Sequence, residues 1–544
     1  MKLDQQKSLQ LARRFIDLPT AKRRDLWQRM RAEGIDPSLL PLPAGIAAAT
    51  GAPASHAQTR MYFLWRLAPD DSAYHINLVL HLEGALDVAA LSSALGQLVR
   101  RHAVLRSSFH AGPDGQVIAS VRAADSTAHG ITLQQIADPQ TESAARAAIA
   151  AQVAAPFDLA RDPLVRASLL QLELGPGPQS HWLSLVLHHI VADERSLRVC
   201  IDELMLLYAA HVRQQPVTLP PATVSYADYA LWQRHMLEAG EGASQLVYWR
   251  QTLVGQSAPL ALPVDHMRVP GPGRTMQGAQ HRFALPLSLS TALIQLARSQ
   301  DTSLFTLMLT AFHALLFRLS GQKEACPQRI GIAVANRDRH ECERMVGLFL
   351  NTQVIQATPG GRQSFGSLLE QVRQAVLGAQ AHQDLPFEQV VEALRPERSM
   401  ASPLFEVMFS HLQAGRRQAD LSDVAGLRVS IAPSEVQSAK FDLELNTLEL
   451  DGSVRGAFTY ASDVFEAATI GRLSEYWQQL LEAVVANPDA PLDALPLLPT
   501  AELAQIQQAN ASAMDYPRTA CLHQLIEQRV HERAGEIALI MDHQ

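Results

Sequence analysis

Only four cysteines occur in 544 residues, Cys200, Cys326, Cys342 and Cys521. They are scattered, without the spacing of a disulfide framework or a thiolate metal site, which excludes a cysteine-stapled secreted scaffold and points to inert thiols in a reducing cytoplasm. No apolar run reaches the ~18 residues of a membrane-spanning helix. The amino terminus, Met1-Lys2-Leu3-Asp4-Gln5-Gln6, lacks a signal peptide's hydrophobic core, so a soluble intracellular chain with no membrane partner is expected. Basic charge is not in excess either. With 46 Lys and Arg against 54 Asp and Glu the net charge is −8, which argues against nucleic acid as a partner. Internal repeats at solenoid periods, phosphate loops, nucleotide fingerprints and metal-ligand constellations are all missing.

What is present is a large core. Hydrophobic residues make up 47% of the chain and charged ones 18%, and 544 residues exceed what one core organises, so two lobes with flanking pieces are expected. Residues 1–53 read as a helical leader and linker, 54–255 as a first lobe, 256–491 as a second and 492–544 as a linker to something further. Strand-like segments at Ile76–Leu82 and Ser180–Leu187 alternate with helical patterns such as Val88–Arg101, which predicts layered α/β architecture. Long apolar helices are predicted at Leu287–Ser299 and Leu304–Leu319, and the Pro- and Gly-rich stretch Pro259–Gly273 is the expected crossing between lobes. Arg13, Arg14, Lys22, Arg23, Arg24, Arg29 and Arg31 crowd the first helices, ahead of an Ala- and Pro-rich connector from Pro41 to Pro53. A solvated helix face explains that cluster better than a dock for an acidic partner.

The most informative string is His188-His189-Ile190-Val191-Ala192-Asp193. It follows the apolar strand Ser180–Leu187, and period-two geometry sends His188 and His189 to opposite faces, so one of them can line a given cavity. Downstream, Leu197, Ile201, Leu204 and Tyr208 recur at helical spacing and place Asp193 at the helix N-cap. A neutral imidazole there can accept a proton from an amine or hydroxyl attacking an acyl group. Taken alone, the string serves equally for satisfied histidines at a strand end followed by a capped helix.

Other segments add to it. In order along the chain come Ser55-His56-Ala57-Gln58-Thr59-Arg60-Met61-Tyr62-Phe63-Leu64, then Arg101-His102-Ala103-Val104-Leu105-Arg106-Ser107-Ser108-Phe109, then the histidine string. Tyr226-Ala227-Asp228-Tyr229-Ala230-Leu231-Trp232 and Val346-Gly347-Leu348-Phe349-Leu350-Asn351-Thr352 follow, the latter preceded by Asn336-Arg337. His382-Gln383-Asp384-Leu385-Pro386-Phe387 and Arg398-Ser399 with Ser402-Pro403-Leu404-Phe405 complete the series. These seven segments, in this order from about Ser55 to about Pro491, resemble the motifs of condensation domains of nonribosomal peptide synthetases.

The resemblance implies two chloramphenicol acetyltransferase-like lobes in a V-shaped pseudo-dimer with a tunnel between them. It implies amide formation between a donor acyl or peptidyl thioester and the amine of an acceptor aminoacyl thioester. Both would be carried on the phosphopantetheine of partner carrier proteins, and the chain itself would bind no cofactor or metal. His189 is then the catalytic histidine, His188 and Asp193 are structural, Arg337 is Asp193's expected partner, and Arg60 supports the tunnel floor. Asn351 and Thr352 fall on the segment the family places against the tunnel. Tyr226, Trp232, His382 and Asp384 read as scaffold.

One position departs from the pattern. The family has glycine after the aspartate, and here Glu194 stands there, followed by Arg195. Glu194 either pairs with Arg195 or Arg198 and points away, or it obstructs the acceptor channel. The second case matches condensation-like domains that have lost amide synthesis and recruit a tailoring enzyme such as an oxygenase. The Asp-Phe-Gly-Trp-Gly motif of alcohol acylation is absent, no second acidic motif indicates epimerisation, and the paired histidines argue against heterocyclisation.

Beyond the second lobe, Asn510-Ala511-Ser512, Tyr516-Pro517-Arg518, Leu522 to Glu527 and the strand-like Ala538-Leu539-Ile540-Met541 resemble the entry into an adenylation domain. The chain would then stop inside that domain, which excludes adenylation by this polypeptide. Starting at Met1, it would be the first domain of a subunit that receives its donor from an upstream synthetase subunit or from coenzyme A.

Overall fold

The computed structural model describes residues 5–47, 51–124, 133–172, 179–255, 260–267, 277–394, 404–413, 423–432, 439–515, 517–537 and 539–541. Outside them lie Met1–Asp4, Pro259 and residues 268–273 of the expected crossing, Arg398, Ser399, Ser402 and Pro403 of the last motif, and Tyr516 and Ala538. The chain forms two compact units, Met1–Pro496 and Leu497–Gln544.

Within the first unit, a five-stranded sheet has the order β12-β2-β7-β6-β5, with strands numbered along the chain. They are β2 (His75–Glu83), β5 (Leu133–Gln140), β6 (Val165–Leu172), β7 (Ser180–His188) and β12 (Arg428–Ile431). Every residue of β7 is buried, which is why its sequence is nearly continuous apolar instead of alternating. Leu183, Leu185 and Leu187 join a core with Leu91, Leu95 and Leu98 of the helix Val88–Arg101 and Leu197 and Leu204 of the helix Glu194–Val212. On the other face Trp182, Val79 and Leu170 pack with Ala145 and Ile149 of the helix Glu142–Ala154. Each fully buried leucine contributes about 2 kcal/mol, so the strand that ends in the histidine pair is firmly held.

A six-stranded sheet has the order β10-β9-β11-β13-β14-β8. Its strands are β8 (Gly278–Ala284), β9 (Gln328–Val334), β10 (Asn351–Ala357), β11 (Val407–Gln413), β13 (Leu443–Leu450) and β14 (Ser453–Ala461). The helix Leu304–Leu319 is buried on nearly all sides against it, as its uniformly apolar sequence demands. A small sheet of β1 (Ala52–Pro53), β4 (Val117–Val121) and β3 (Ser107–Ala111) completes the unit. The two halves of the chain interlock. β12, from the second half, pairs antiparallel with β2 of the first through Arg428 opposite Glu83 and Ile431 opposite Leu80.

The leader helices Gln5–Asp17 and Thr20–Ala32 are anchored on the first core through Ala12, Phe15, Ile16 and Met30. Two of their basic residues are held by partners, and of these Arg23 alone leaves the solvated face. Arg23 is buried and donates to the carbonyls of Phe15, Ile16 and Leu18, and Arg31 pairs with Glu241 at 2.7 Å. Arg13, Arg14, Lys22, Arg24 and Arg29 are exposed.

No single helix among the described residues is long and apolar enough to cross a membrane; Leu287–Ser299 and Leu304–Leu319 approach that composition only as a pair bent by 105°. In the second unit, the helices Thr500–Asn510 and Leu522–Glu532 have no buried residue. Residues 539–541 form no strand, in contrast to the pattern-based expectation; among the described residues no strand pairs with them.

Burial also sets an acid limit. His313, enclosed in the helix Leu304–Leu319, is pushed down to about 4 and His188 to about 3, in both cases chiefly by desolvation. Their folded values lie below the unfolded value, so the unfolded chain binds more protons and stability is lost as pH falls below about 6.5. Each such group costs up to about 1.4 kcal/mol per pH unit in that window. We expect the melting temperature to fall between pH 7 and pH 4.5, with a smaller fall in His313→Gln; a pH-independent melting temperature in the variant and parent alike would contradict this account.

Candidate active site

A cavity of about 620 Å³ lies where the two halves of the first unit meet. The first half contributes Arg60, His75, His189, Glu194 and Tyr226, and the second contributes Asn351, Thr352, Glu388, Lys440 and Glu444.

β7 ends at His188, and the next three residues form a tight turn before the helix Glu194–Val212. The turn separates the two imidazoles. His188 stays in the interior, where its Nδ1 accepts from the Ile190 amide at 3.1 Å and its ring lies edge-on to Phe157 and His75. His189 lines the cavity. Its amide donates to the Tyr74 carbonyl at 2.8 Å, and its Nδ1 sits 2.9 Å from the Ala192 carbonyl. Because a carbonyl oxygen only accepts, Nδ1 carries the proton and Nε2 is left as the lone-pair nitrogen. Desolvation, with a further contribution from the Lys440 charge, lowers His189 to about 4 against the opposing pull of Asp193, so the ring is neutral at pH 7.

Asp193 caps the helix and does not reach the cavity. Its Oδ1 accepts from the Ser196 amide at 2.8 Å, the Ser196 hydroxyl at 2.7 Å and Arg337 Nη2 at 2.8 Å, while Oδ2 accepts from the Phe349 amide at 3.0 Å. Arg337 also donates to the carbonyls of Cys342 and Met345 and lies 4.1 Å over the Phe349 ring. This buried cluster joins the halves directly beneath the histidine turn. Gly347 permits the junction: a Cβ there would fall 1.9 Å from the Tyr226 ring. The Tyr226 hydroxyl in turn donates to the Leu348 carbonyl and lies 2.9 Å from the Ser55 hydroxyl.

Arg60 is not part of that cluster. It stands on the cavity wall and pairs with Glu388 at 3.0 Å across the halves. Asn351 locks the loop before the helix Phe387–Leu394, donating to the carbonyls of Gln383 and Leu385 at 2.9 Å each and accepting from the Phe387 amide at 3.2 Å. Thr352 lies beside it on β10 and lines the cavity.

Trp232 is fully buried against Phe15, Asp384 lies 3.2 Å from the Gln245 amide nitrogen, and His382 stacks on Tyr248 with centroids 4.1 Å apart. Glu194 is the first residue of its helix and faces the cavity; among the described residues no cation lies within ion-pair distance of it. Desolvation raises its pKa, as does Asp193, and Arg198 only partly offsets them.

Residues that pattern reading did not single out complete the wall: Tyr74, His75, Glu388, Lys440 and Glu444. Lys440 and Glu444 flank the start of β13, where alternating charge looks like an ordinary strand edge. Their exposure to an internal cavity follows only from the meeting of the two sheets. Among the described residues no group of three His, Cys, Asp or Glu side chains is arranged to hold a metal ion.

A condensation-domain family profile matches residues 48–507. The chain is 37% identical over 498 residues to one of the linear gramicidin synthase polypeptides of Brevibacillus parabrevis, a match that covers 90% of this chain and 9% of that protein. It is also 37% identical over 495 residues to phosphinothricin tripeptide synthetase PhsC of Streptomyces viridochromogenes, covering 90% of this chain and 44% of that protein. The chain thus spans less than half the length of these relatives. Among solved structures, the X-domain in its complex with OxyB from teicoplanin biosynthesis superposes with a TM-score of 0.73 at 26% identity, covering 84% of this chain and 98% of that one. The first condensation domain of the calcium-dependent antibiotic synthetase, bound to a substrate analogue, gives 0.69 at 19% identity over 83% of this chain and 100% of that one. The α/β fold with its two large sheets is therefore that of condensation domains, built from chloramphenicol acetyltransferase-like lobes. The chain belongs to the condensation-domain family of nonribosomal peptide synthetases.

Proposed function

We propose that this domain joins a donor acyl or peptidyl thioester to the amine of an acceptor aminoacyl thioester, releasing the donor's thiol. The observation that carries the reading is the His189 ring, fixed through Nδ1 on the Ala192 carbonyl and presented to a cavity that both halves line. Thioesters are already activated, so holding amine and carbonyl together beside one hydrogen-bond acceptor supplies much of the acceleration. Donor and acceptor are delivered on the phosphopantetheine arms of carrier proteins. The wider partners are an adjoining adenylation domain, whose beginning we place in residues 492–544, and an upstream synthetase subunit. Four free cysteines support a reducing, cytoplasmic setting. Asp193 and Arg337 act as structural support beneath His189, and Asn351 and Thr352 shape the tunnel.

Glu194 favours a second reading, a silent domain that recruits a tailoring enzyme. It places an unpaired carboxylate in the cavity, and the X-domain likeness points the same way. The two readings separate in one assay of amide formation, using loaded donor and acceptor carrier proteins and mass spectrometry. We expect product from the wild type, and a change of less than about threefold in Glu194→Gly, which is below about 1 kcal/mol in the barrier. A folded wild type that makes no product, with product appearing in Glu194→Gly, would transfer the assignment to the recruiting role.

A further inference from the structure

Lys440 precedes β13 in the second half of the chain, yet its ammonium lies 4.9 Å over the ring of Tyr74, just ahead of β2 in the first half. The same Tyr74 accepts the His189 amide through its carbonyl at 2.8 Å, so Lys440 and His189 hang from one residue and line one cavity. Among the described residues no carboxylate comes within ion-pair distance of the Lys440 ammonium. Glu444 lines the same wall and acts on it only at longer range. A cation over an aromatic face, short of counter-charge and facing a cavity, is a site for an anion.

Resting on the condensation reading, we propose that Lys440 supplies the positive charge that faces the oxygen of the reacting thioester carbonyl. As the acceptor nitrogen bonds to the carbonyl carbon, the C=O π pair moves onto oxygen and the amine's extra proton passes to His189 Nε2. When the carbonyl re-forms, the C–S bond breaks and the pantetheine thiolate leaves and takes that proton. Amine and thioester become amide and thiol, with no other reactant. Charge develops on oxygen only after attack begins, so a preorganised cation favours the transition state over the bound thioester. It also explains how a histidine as weakly basic as His189 can serve: the oxygen's charge is met by the lysine, and the imidazole has only to take a proton from a strongly acidic adduct.

The test is single-turnover condensation with loaded carrier proteins, comparing wild type, Lys440→Met and Lys440→Arg. Loss of one such stabilising group is expected to lower kcat about 100-fold in Lys440→Met, with acceptor KM little changed, and Lys440→Arg should recover at least about tenfold. A second readout is the ring titration of His189 by NMR. Besides desolvation, the Lys440 charge lowers the pKa of that ring while Asp193 raises it, so Lys440→Met should titrate at higher pH than the wild type. Wild-type kcat in Lys440→Met, or a loss that arginine does not rescue with His189 titration unmoved, overturns the lysine's role and leaves the condensation reading standing. No product from wild type overturns both.

Discussion

Replacing His189 by alanine is expected to lower the rate of amide formation by about 10²- to 10⁴-fold, the usual worth of a positioned proton acceptor. The geometry explains why the loss should be large although the ring is a weak base. Nδ1 is committed to the Ala192 carbonyl at 2.9 Å, so Nε2 is an acceptor in a fixed direction, with no tautomer to select at the moment of reaction. With a pKa of about 4, the ring is neutral at pH 7, and Nε2 is always ready to accept a proton. It cannot strip a free ammonium. It can take the proton of the amine once attack has placed positive charge on nitrogen, because that proton is far more acidic. The sign of the pH dependence follows: His189 must be neutral, so its contribution is complete above about pH 5 and fades as pH falls through about 4. Single-turnover product formation checks the rate, and a melting curve within a few degrees of wild type shows that the variant is folded. A His189→Ala enzyme retaining a third of the rate would make the imidazole a structural residue.

The legible and illegible parts of this molecule divide by the range of the contacts involved. Strands at 180–187 and 76–82 and helices at 88–101, 287–299 and 304–319 could be read because their information is local, in apolar runs and 3.6-residue spacing. The site's outline came from the resemblance, since the residues around His189 alone permitted a purely structural interpretation. What no local pattern could show is whatever depends on register between distant segments. β12 is four residues long and joins the sheet of the other half. Arg60 is separated from Glu388 by more than half the chain, and Lys440 from Tyr74 likewise. Arg23 reads as one more surface cation in a basic helix, yet three backbone carbonyls of the preceding turn take its donors. In each case the side chain's role is set by a neighbour that only tertiary packing supplies.

The second large effect belongs to the Asp193–Arg337 pair. Both side chains are about 95% buried, 4% and 5% exposed, and their bond of 2.8 Å spans the two halves. Asp193→Ala removes four accepted hydrogen bonds at once and leaves a buried guanidinium without its counter-charge, which should cost about 3–5 kcal/mol. Arg337 keeps the carbonyls of Cys342 and Met345 and the face of Phe349, so it will not simply swing into water; the charge stays where it is and destabilises. That predicts strong coupling. The double variant Asp193→Ala/Arg337→Met should be more stable than Asp193→Ala alone, because it removes the orphaned charge, and a double-mutant cycle by urea unfolding should give more than about 1 kcal/mol of interaction. Additive losses would mean that solvent screens the pair, contrary to its burial. Activity separates the charge from the shape. Asp193→Asn keeps an acceptor oxygen for the Ser196 amide, yet Arg337 loses its anion, and the Ala192 carbonyl that orients His189 is the residue next door. Loosening that turn lets the imidazole wander, so kcat should fall in Asp193→Asn while His189 remains present, and the deficit should exceed what the fraction of unfolded protein accounts for. If kcat per folded molecule is unchanged, the pair stabilises the junction of the halves and has no part in aiming the histidine.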